Sequence, residues 1–234
     1  MNLHGQPQQN VSYRDWKKFN GDNIPSSLET YDILYEKINY GETIVDIGCG
    51  YGKTCFELIY KGYGQITGFD INDDGIKFAI GKLKQLPENL KNMCRFEIED
   101  ALETSYEDNS FDHGIMQAFM TTITTVEQRQ VVLREARRII KPSGGLYLAV
   151  FFQTWHIEKY MTKYEKGEKE TGELGSFYAY NNKTGELQYM AHHYTERELT
   201  YLLLNAGFII DHFNYETFTT RSGNKINGAV IYCK

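Results

Sequence analysis

A short apolar run followed at once by three closely spaced glycines constrains this chain more than any other feature. Thr43 to Ile47 reads as a compact buried strand, and Val45-Asp46-Ile47-Gly48-Cys49-Gly50-Tyr51-Gly52 carries it into a sharp turn. Thr54 to Tyr60 then reads as a helix. Glycines at 48, 50 and 52 let the backbone turn tightly and approach a ligand closely. The amides at the start of the following helix favour a polar or anionic group. Taken alone, such a turn is weak evidence, since its glycines can merely allow close packing of a strand on a helix.

The same alternation continues downstream. Gln65 to Ile71 is a second strand, and Asn72, Asp73 or Asp74 can cap a helix reaching about Leu86, with Ile76, Ile80 and Leu83 on one face and Pro87 as its stop. Arg95 to Ile98 and Gly114 to Ala118 are the third and fourth strands. Thr124 or Thr125 opens a helix through Ile140, striped by Val131, Val132, Ala136, Ile139 and Ile140. Lys141-Pro142-Ser143-Gly144-Gly145 breaks it before the strongly apolar Leu146 to Phe152. Strands of continuous apolar character alternating with helices predict a parallel sheet covered on both faces. Ligands in such sheets bind beyond the carboxyl ends of the strands, where strand order reverses.

Residues 153–193 interrupt the pattern. A charged run from Glu158 to Glu173 precedes Phe177-Tyr178-Ala179-Tyr180 and Leu187-Gln188-Tyr189-Met190, which flank a polar turn and predict a hairpin. Thr195 then caps a helix over 196–205 ending near Gly207, and strands over Ile209 to Phe213 and Ala229 to Cys233 close the chain. The expected division is therefore N-terminal cap helices (1–40), a ligand-binding core (41–152), an inserted lid with a hairpin (153–193), and the last helix and strands of the same core (194–234).

Asp70 ends the second strand, 18 residues after Gly52, where a carboxylate can accept both hydroxyls of a ribose. A helix cap or a surface aspartate would be the plain alternative. A dinucleotide site favours GxGxxG, whereas here the third glycine comes one residue early and Lys53 fills the later slot, which points to a smaller nucleoside ligand.

With those residues in place, the chain resembles the class I S-adenosylmethionine-dependent methyltransferases. The likeness rests on the Asp46 to Gly52 loop, Gly68-Phe69-Asp70-Ile71, Glu99-Asp100-Ala101 and Ser110-Phe111-Asp112. It continues through Leu133 to Gly145 and the late Tyr194-Thr195-Glu196-Arg197-Glu198-Leu199 with Ala206-Gly207-Phe208. It is close over about residues 40–152 and looser over 194–234. The resemblance implies an α/β fold with a doubly wound, seven-stranded, mostly parallel sheet whose last strand is antiparallel. It also implies roles by position. Gly48, Gly50 and Gly52 would line the methionine and ribose of the cofactor, with Asp46 ordering the loop. Asp70 would bind the ribose hydroxyls and Ile71 would pack on the adenine. Asp100 would bond the adenine amino group beside the Ala101 backbone, and Gln117 would lie under the methionine. The product would be S-adenosyl-L-homocysteine.

The acceptor side is less defined. His156, His192 and His193 are the candidate bases, although His192 and His193 cannot both face inward on a strand; His113 reads as structural. Tyr160, Tyr164, Tyr178, Tyr180, Tyr189 and Tyr194, with Phe177 and Met190, suit either a lid over a small organic acceptor or a hairpin packed on its own core or on a second copy, which leaves a homodimer open. Tyr13, Trp16 and Phe19 could form an entry flap or simply pack a helix.

With 31 Asp+Glu against 25 Lys+Arg and a net charge of −6, nucleic acid is a disfavoured partner. Lys159, Lys163, Lys166 and Lys169 interleave with glutamates, as on a solvated helix face. The expected function is methylation of a small molecule at O or N. The alternatives are a tRNA wobble-base methyltransferase, since similar late segments occur there, or a non-catalytic cofactor-binding module. The longest apolar run, Leu146 to Phe152, is seven residues, so no membrane association is expected. The polar N-terminus lacks a signal-peptide core, and the four cysteines form no CxxC pair. A cytoplasmic protein with no metal is expected.

Overall fold

The computed structural model describes Ser12 and residues 28–180, 184–219 and 223–234. The proposed flap residues Tyr13, Trp16 and Phe19, and the 181–183 tip of the hairpin, lie outside them. Before residue 41 one helix is described, α1 (Asp32–Lys37), with Leu34 fully buried.

Seven strands form one sheet: β1 (Ile44–Ile47), β2 (Ile66–Asp70), β3 (Cys94–Ile98), β4 (Phe111–Gln117), β5 (Ile140–Phe151), β8 (Ile210–Thr219) and β9 (Lys225–Cys233), in the order β3-β2-β1-β4-β5-β9-β8. β1 pairs in parallel with β2 and β4, and β4 with β5; β9 runs antiparallel to both β5 and β8. The chain therefore winds outward from β1 to β3 and returns to β4. The crevice at the carboxyl ends of β1 and β4 is the place where this topology opens a binding site.

Side-chain alternation sorts the sheet into two faces. Ile44, Ile115, Tyr147, Ala149 and Phe151 join one buried cluster with α1, α2 (Lys53–Tyr60) and α3 (Asp73–Leu83). Val45, Met116, Leu148 and Val150 join the other with α5 (Val126–Ile139) and α7 (Glu196–Asn205). Helix starts follow local chemistry: Asn72 accepts the amides of Asp74 and Gly75 at 3.1 and 3.0 Å, Thr125 that of Gln128 at 3.3 Å, and Thr195 that of Glu198 at 3.2 Å. Gly207, at φ +90°, follows α7 in the left-handed conformation that a helix end often needs.

Several boundaries differ from the sequence reading. α3 stops at Leu83, and a short α4 (Glu88–Lys91) begins directly after Pro87, whose missing N–H costs nothing at a helix start. Lys141 to Gly145 is not a loop between helix and strand. Ile140 already pairs with Phe111 and Gly145 with His113, so the intervening residues bulge from β5, and Gly144 sits where a Cβ would strike the Asp112 carbonyl. β8 runs to Thr219 rather than Phe213, because pairing with β9 extends a strand whose own alternation is weak.

The 153–193 segment forms α6 (Glu158–Thr171) and the hairpin β6 (Ser176–Tyr180) with β7 (Leu187–His192). Tyr160, Tyr164 and Phe177 are buried with Phe151 and His193 in a small aromatic core, whereas Tyr178, Tyr180, Tyr189 and Met190 are half-buried.

Candidate functional site

The glycine-rich turn takes the shape its spacing predicts. Gly48, Gly50 and Gly52 have φ of +74°, +55° and +79°, a region that side-chain-bearing residues rarely occupy. A Cβ at Gly48 would lie 2.1 Å from the Phe119 ring, and one at Gly52 2.7 Å from Phe96. The turn is held from the neighbouring strand: Asp70 Oδ2 accepts the Gly50 amide at 2.8 Å while its Oδ1 accepts the Asn72 amide at 2.8 Å. Burial raises the Asp70 carboxyl above its ordinary range, opposed by the amides of Asn72, Gly50 and Ile71. Asp46 lies beneath the turn, 1% exposed, with the Cys55 thiol donating to it at 3.4 Å. Burial pushes its carboxyl up to about 7.

Above the turn a narrow cleft is lined by Gly48, Asp70, Ile71, Asp100, Ala101 and Leu102, with Phe119 and Ile123 as its far wall. Asp100 Oδ1 accepts the Leu102 amide at 3.1 Å, which fixes the carboxylate at the mouth. Gln117, closing β4, donates from Nε2 to the Glu29 carbonyl at 2.7 Å; its Oε1 is buried with no hydrogen-bond partner among the described residues. Thr121 Oγ1 shares that condition. Between them Ala118 holds a strained φ of +56°. The cleft thus joins the carboxylates that the sequence singled out at 70 and 100, the first glycine and the apolar contacts Ile71 and Ala101. Asp46 lies below it as support.

These residues fit S-adenosylmethionine. The donor set offers a carboxylate for a diol, an apolar slot for a flat base, a backbone turn whose glycines at 48 and 52 leave no room for a Cβ, and an orphaned buried acceptor at Gln117.

The three candidate bases do not converge. His156 is exposed on the turn before α6. His193 is 4% exposed on the α2 face, its Nδ1 2.8 Å from the Tyr164 hydroxyl, and burial lowers its pKa to about 3. His192 points to the opposite face, with Nδ1 2.8 Å from Ser176 Oγ and Nε2 2.9 Å from Glu198 Oε1.

Beside His192 stands a group that sequence reasoning missed. Arg129 is fully buried on α5. Its guanidinium donates to the Ile123 and Thr124 carbonyls, each at 3.0 Å, and to both Glu173 oxygens at 2.6 and 2.9 Å; Glu198 lies 3.5 Å away. Tyr194 adds a hydroxyl bond to the Met120 carbonyl at 2.8 Å. The far wall of the cleft is thereby tied to the inserted segment. The available sequence signal was an arginine in register with the apolar stripe Val132, Ala136 and Ile139. Glu173, His192 and Glu198 could by themselves surround a metal ion, but the cation that bonds to both carboxylates here is Arg129.

Comparison with known proteins agrees with this geometry. Residues 38–207 match the family described as "Methyltransferase domain". A SAM-dependent methyltransferase from Methanosarcina mazei superposes with a TM-score of 0.83 at 39% identity, over 88% of this chain and 98% of that one. Methyltransferase GfsG of Streptomyces halstedii is 30% identical over 60% of this chain and 50% of its own length. Norajmaline N-methyltransferase of Rauvolfia serpentina is 30% identical over 53% of this chain and 41% of its own. The chain thus spans about half the length of these curated relatives. A strand order, a glycine turn and a matched family profile meet on the same residues, and the chain belongs to the class I S-adenosylmethionine-dependent methyltransferase family.

Proposed function

We propose that the chain transfers a methyl group from S-adenosylmethionine to a small organic acceptor at oxygen or nitrogen, releasing S-adenosyl-L-homocysteine. The observation that carries this reading is the Asp70 carboxylate. It braces the Gly50 amide and stands in one cleft with Asp100, Ile71 and Ala101. When bound, the cofactor supplies an electrophilic methyl on a sulfonium, so the protein's task is in-line positioning and exclusion of water. Asp70 binds the ribose hydroxyls while keeping the turn in shape. Asp100 and the Ala101 backbone select the base, with Ile71 packed on its face. Gln117 Oε1 would accept a hydrogen bond from the ammonium group of the methionine end, and Phe119 and Ile123 would shield the cleft from solvent.

A neutral amine acceptor needs orientation and a proton exit rather than a strong base. That suits a site around which His192 is already bonded at both ring nitrogens. The small-molecule reading is also supported by the lysines of α6. Lys163 stands over the Tyr160 and Phe177 rings, and Lys166 over Tyr180 with Glu170 at 3.5 Å, so this face offers aromatic and acidic partners more than open cations. The norajmaline enzyme, by its name, methylates nitrogen of a small molecule, which is the same class of acceptor.

Two measurements test the proposal. Asp70→Ala is expected to weaken S-adenosylmethionine binding by more than about tenfold in calorimetry, as loss of a charge-assisted pair implies. Labelled methyl supplied from the cofactor to a cell extract is expected in the metabolite fraction; label in RNA would refute the acceptor class.

A further inference from the structure

A second recess lies at the carboxyl end of β5, where β8, β9 and the start of α7 meet. Its volume is about 450 Å³, and it shares no lining residue with the donor cleft. Its walls are aromatic and acidic. Phe152 and Tyr215 stand edge to face at 6.2 Å, and Phe213 braces Tyr215 from behind at 5.1 Å. Trp155 is 42% exposed, with the buried Tyr164 ring 5.1 Å away on one side, and Tyr215 is 61% exposed, so both rings keep surface open to solvent. The polar ends of both rings are engaged. The Trp155 indole N–H donates to Gln153 Oε1 at 3.0 Å, and the Tyr215 hydroxyl donates to the Glu196 carboxylate. What these rings still present is π surface, beside a carboxylate on an acidic protein. Among the described residues no lysine, arginine or histidine lines the recess.

We propose that this recess is a binding site for an organic ammonium group, held over the Trp155 and Tyr215 rings, with the buried Phe152 as its floor and Glu196 as counter-charge. An anion would be repelled by the Glu196 and Glu216 carboxylates and would meet negative ring faces, although Gln153, Thr195, Thr217 and Asn227 also line the recess. A neutral apolar ligand would strip water from Glu196 without replacing it. A methylated or alkyl ammonium satisfies both walls at once, because its diffuse charge suits ring faces and its surface is largely apolar. The site is separate from the donor cleft, so the inference stands whichever acceptor the methyl group reaches.

The test uses choline and its neutral isostere 3,3-dimethylbutan-1-ol. The chain has two tryptophans, so Trp16→Phe leaves Trp155 as the sole indole. Choline is expected to change Trp155 emission saturably at millimolar concentration, with the isostere binding at least about fivefold more weakly. Glu196→Gln, on the exposed first turn of α7, is expected to weaken choline by a similar factor without moving the thermal midpoint. Calorimetry on the unsubstituted protein gives the same comparison if Trp16→Phe does not fold. Equal binding of the two probes, no binding of choline, or an unchanged affinity in Glu196→Gln would each overturn the proposal.

Discussion

Replacing Arg129 by methionine tests whether the inserted segment is locked to the wall of the donor cleft. The side chain is fully buried, yet it binds the Ile123 and Thr124 carbonyls at 3.0 Å and both oxygens of Glu173. Burial alone would raise the Glu173 carboxyl. Arg129 hydrogen bonding, His192 and Ser176 outweigh that and hold it below its ordinary range, so the carboxylate is charged at neutral pH. Methionine fills most of the volume but leaves Glu173 and Glu198 facing each other across His192, with two backbone carbonyls unpaired. Removing one partner of a buried pair costs about 3–5 kcal/mol, which for a chain this long is a fall of roughly 6–20 °C in the melting midpoint. Urea denaturation measures it directly. Adding Glu173→Gln removes one stranded charge and is expected to recover about 1–3 kcal/mol, a coupling that distant sites would not show. Cofactor affinity is expected to fall as well, because Ile123 lines the cleft. A loss below about 1 kcal/mol, or strict additivity with Glu173→Gln, would refute the lock.

Further outcomes follow from the same geometry. Gly48→Ala forces a left-handed φ on alanine, at about 1–2 kcal/mol, and drives its Cβ into Phe119; calorimetry is expected to show S-adenosylmethionine affinity down at least about tenfold with the fold retained. An affinity within twofold of the parent would be inconsistent with a backbone cradle. His193, with its pKa lowered to about 3 by burial, stabilises the fold fully above its unfolded pKa near 6.5, and that contribution is lost as pH falls from there towards 3. Urea midpoints of His193→Gln are therefore expected to decline less than those of the parent between pH 7 and 5; parallel declines would show that His193 is not held neutral.

Local chemistry determined much of this molecule. The Thr43 to Gly52 strand and turn, the caps at Asn72, Thr125 and Thr195, and the apolar strands are short-range features, written in residues a few positions apart. Strand and helix alternation then fixed the sheet class, since continuous apolar strands are stable only under helices on both faces. Asp70 was legible for the same reason, since strand ends in such a sheet point to one rim, whereas Ile71, Asp100 and Ala101 were implied by the family resemblance. Tertiary structure alone decided the rest. The bulge in β5 and the full length of β8 come from pairing with partners distant in sequence. Arg129, Glu173 and Glu198 are 44 and 69 positions apart, so only packing brings them together. The two neighbouring histidines separate because successive residues of an extended segment face opposite sides: His192 joins that network, and His193 enters an aromatic core where burial disfavours its charged form.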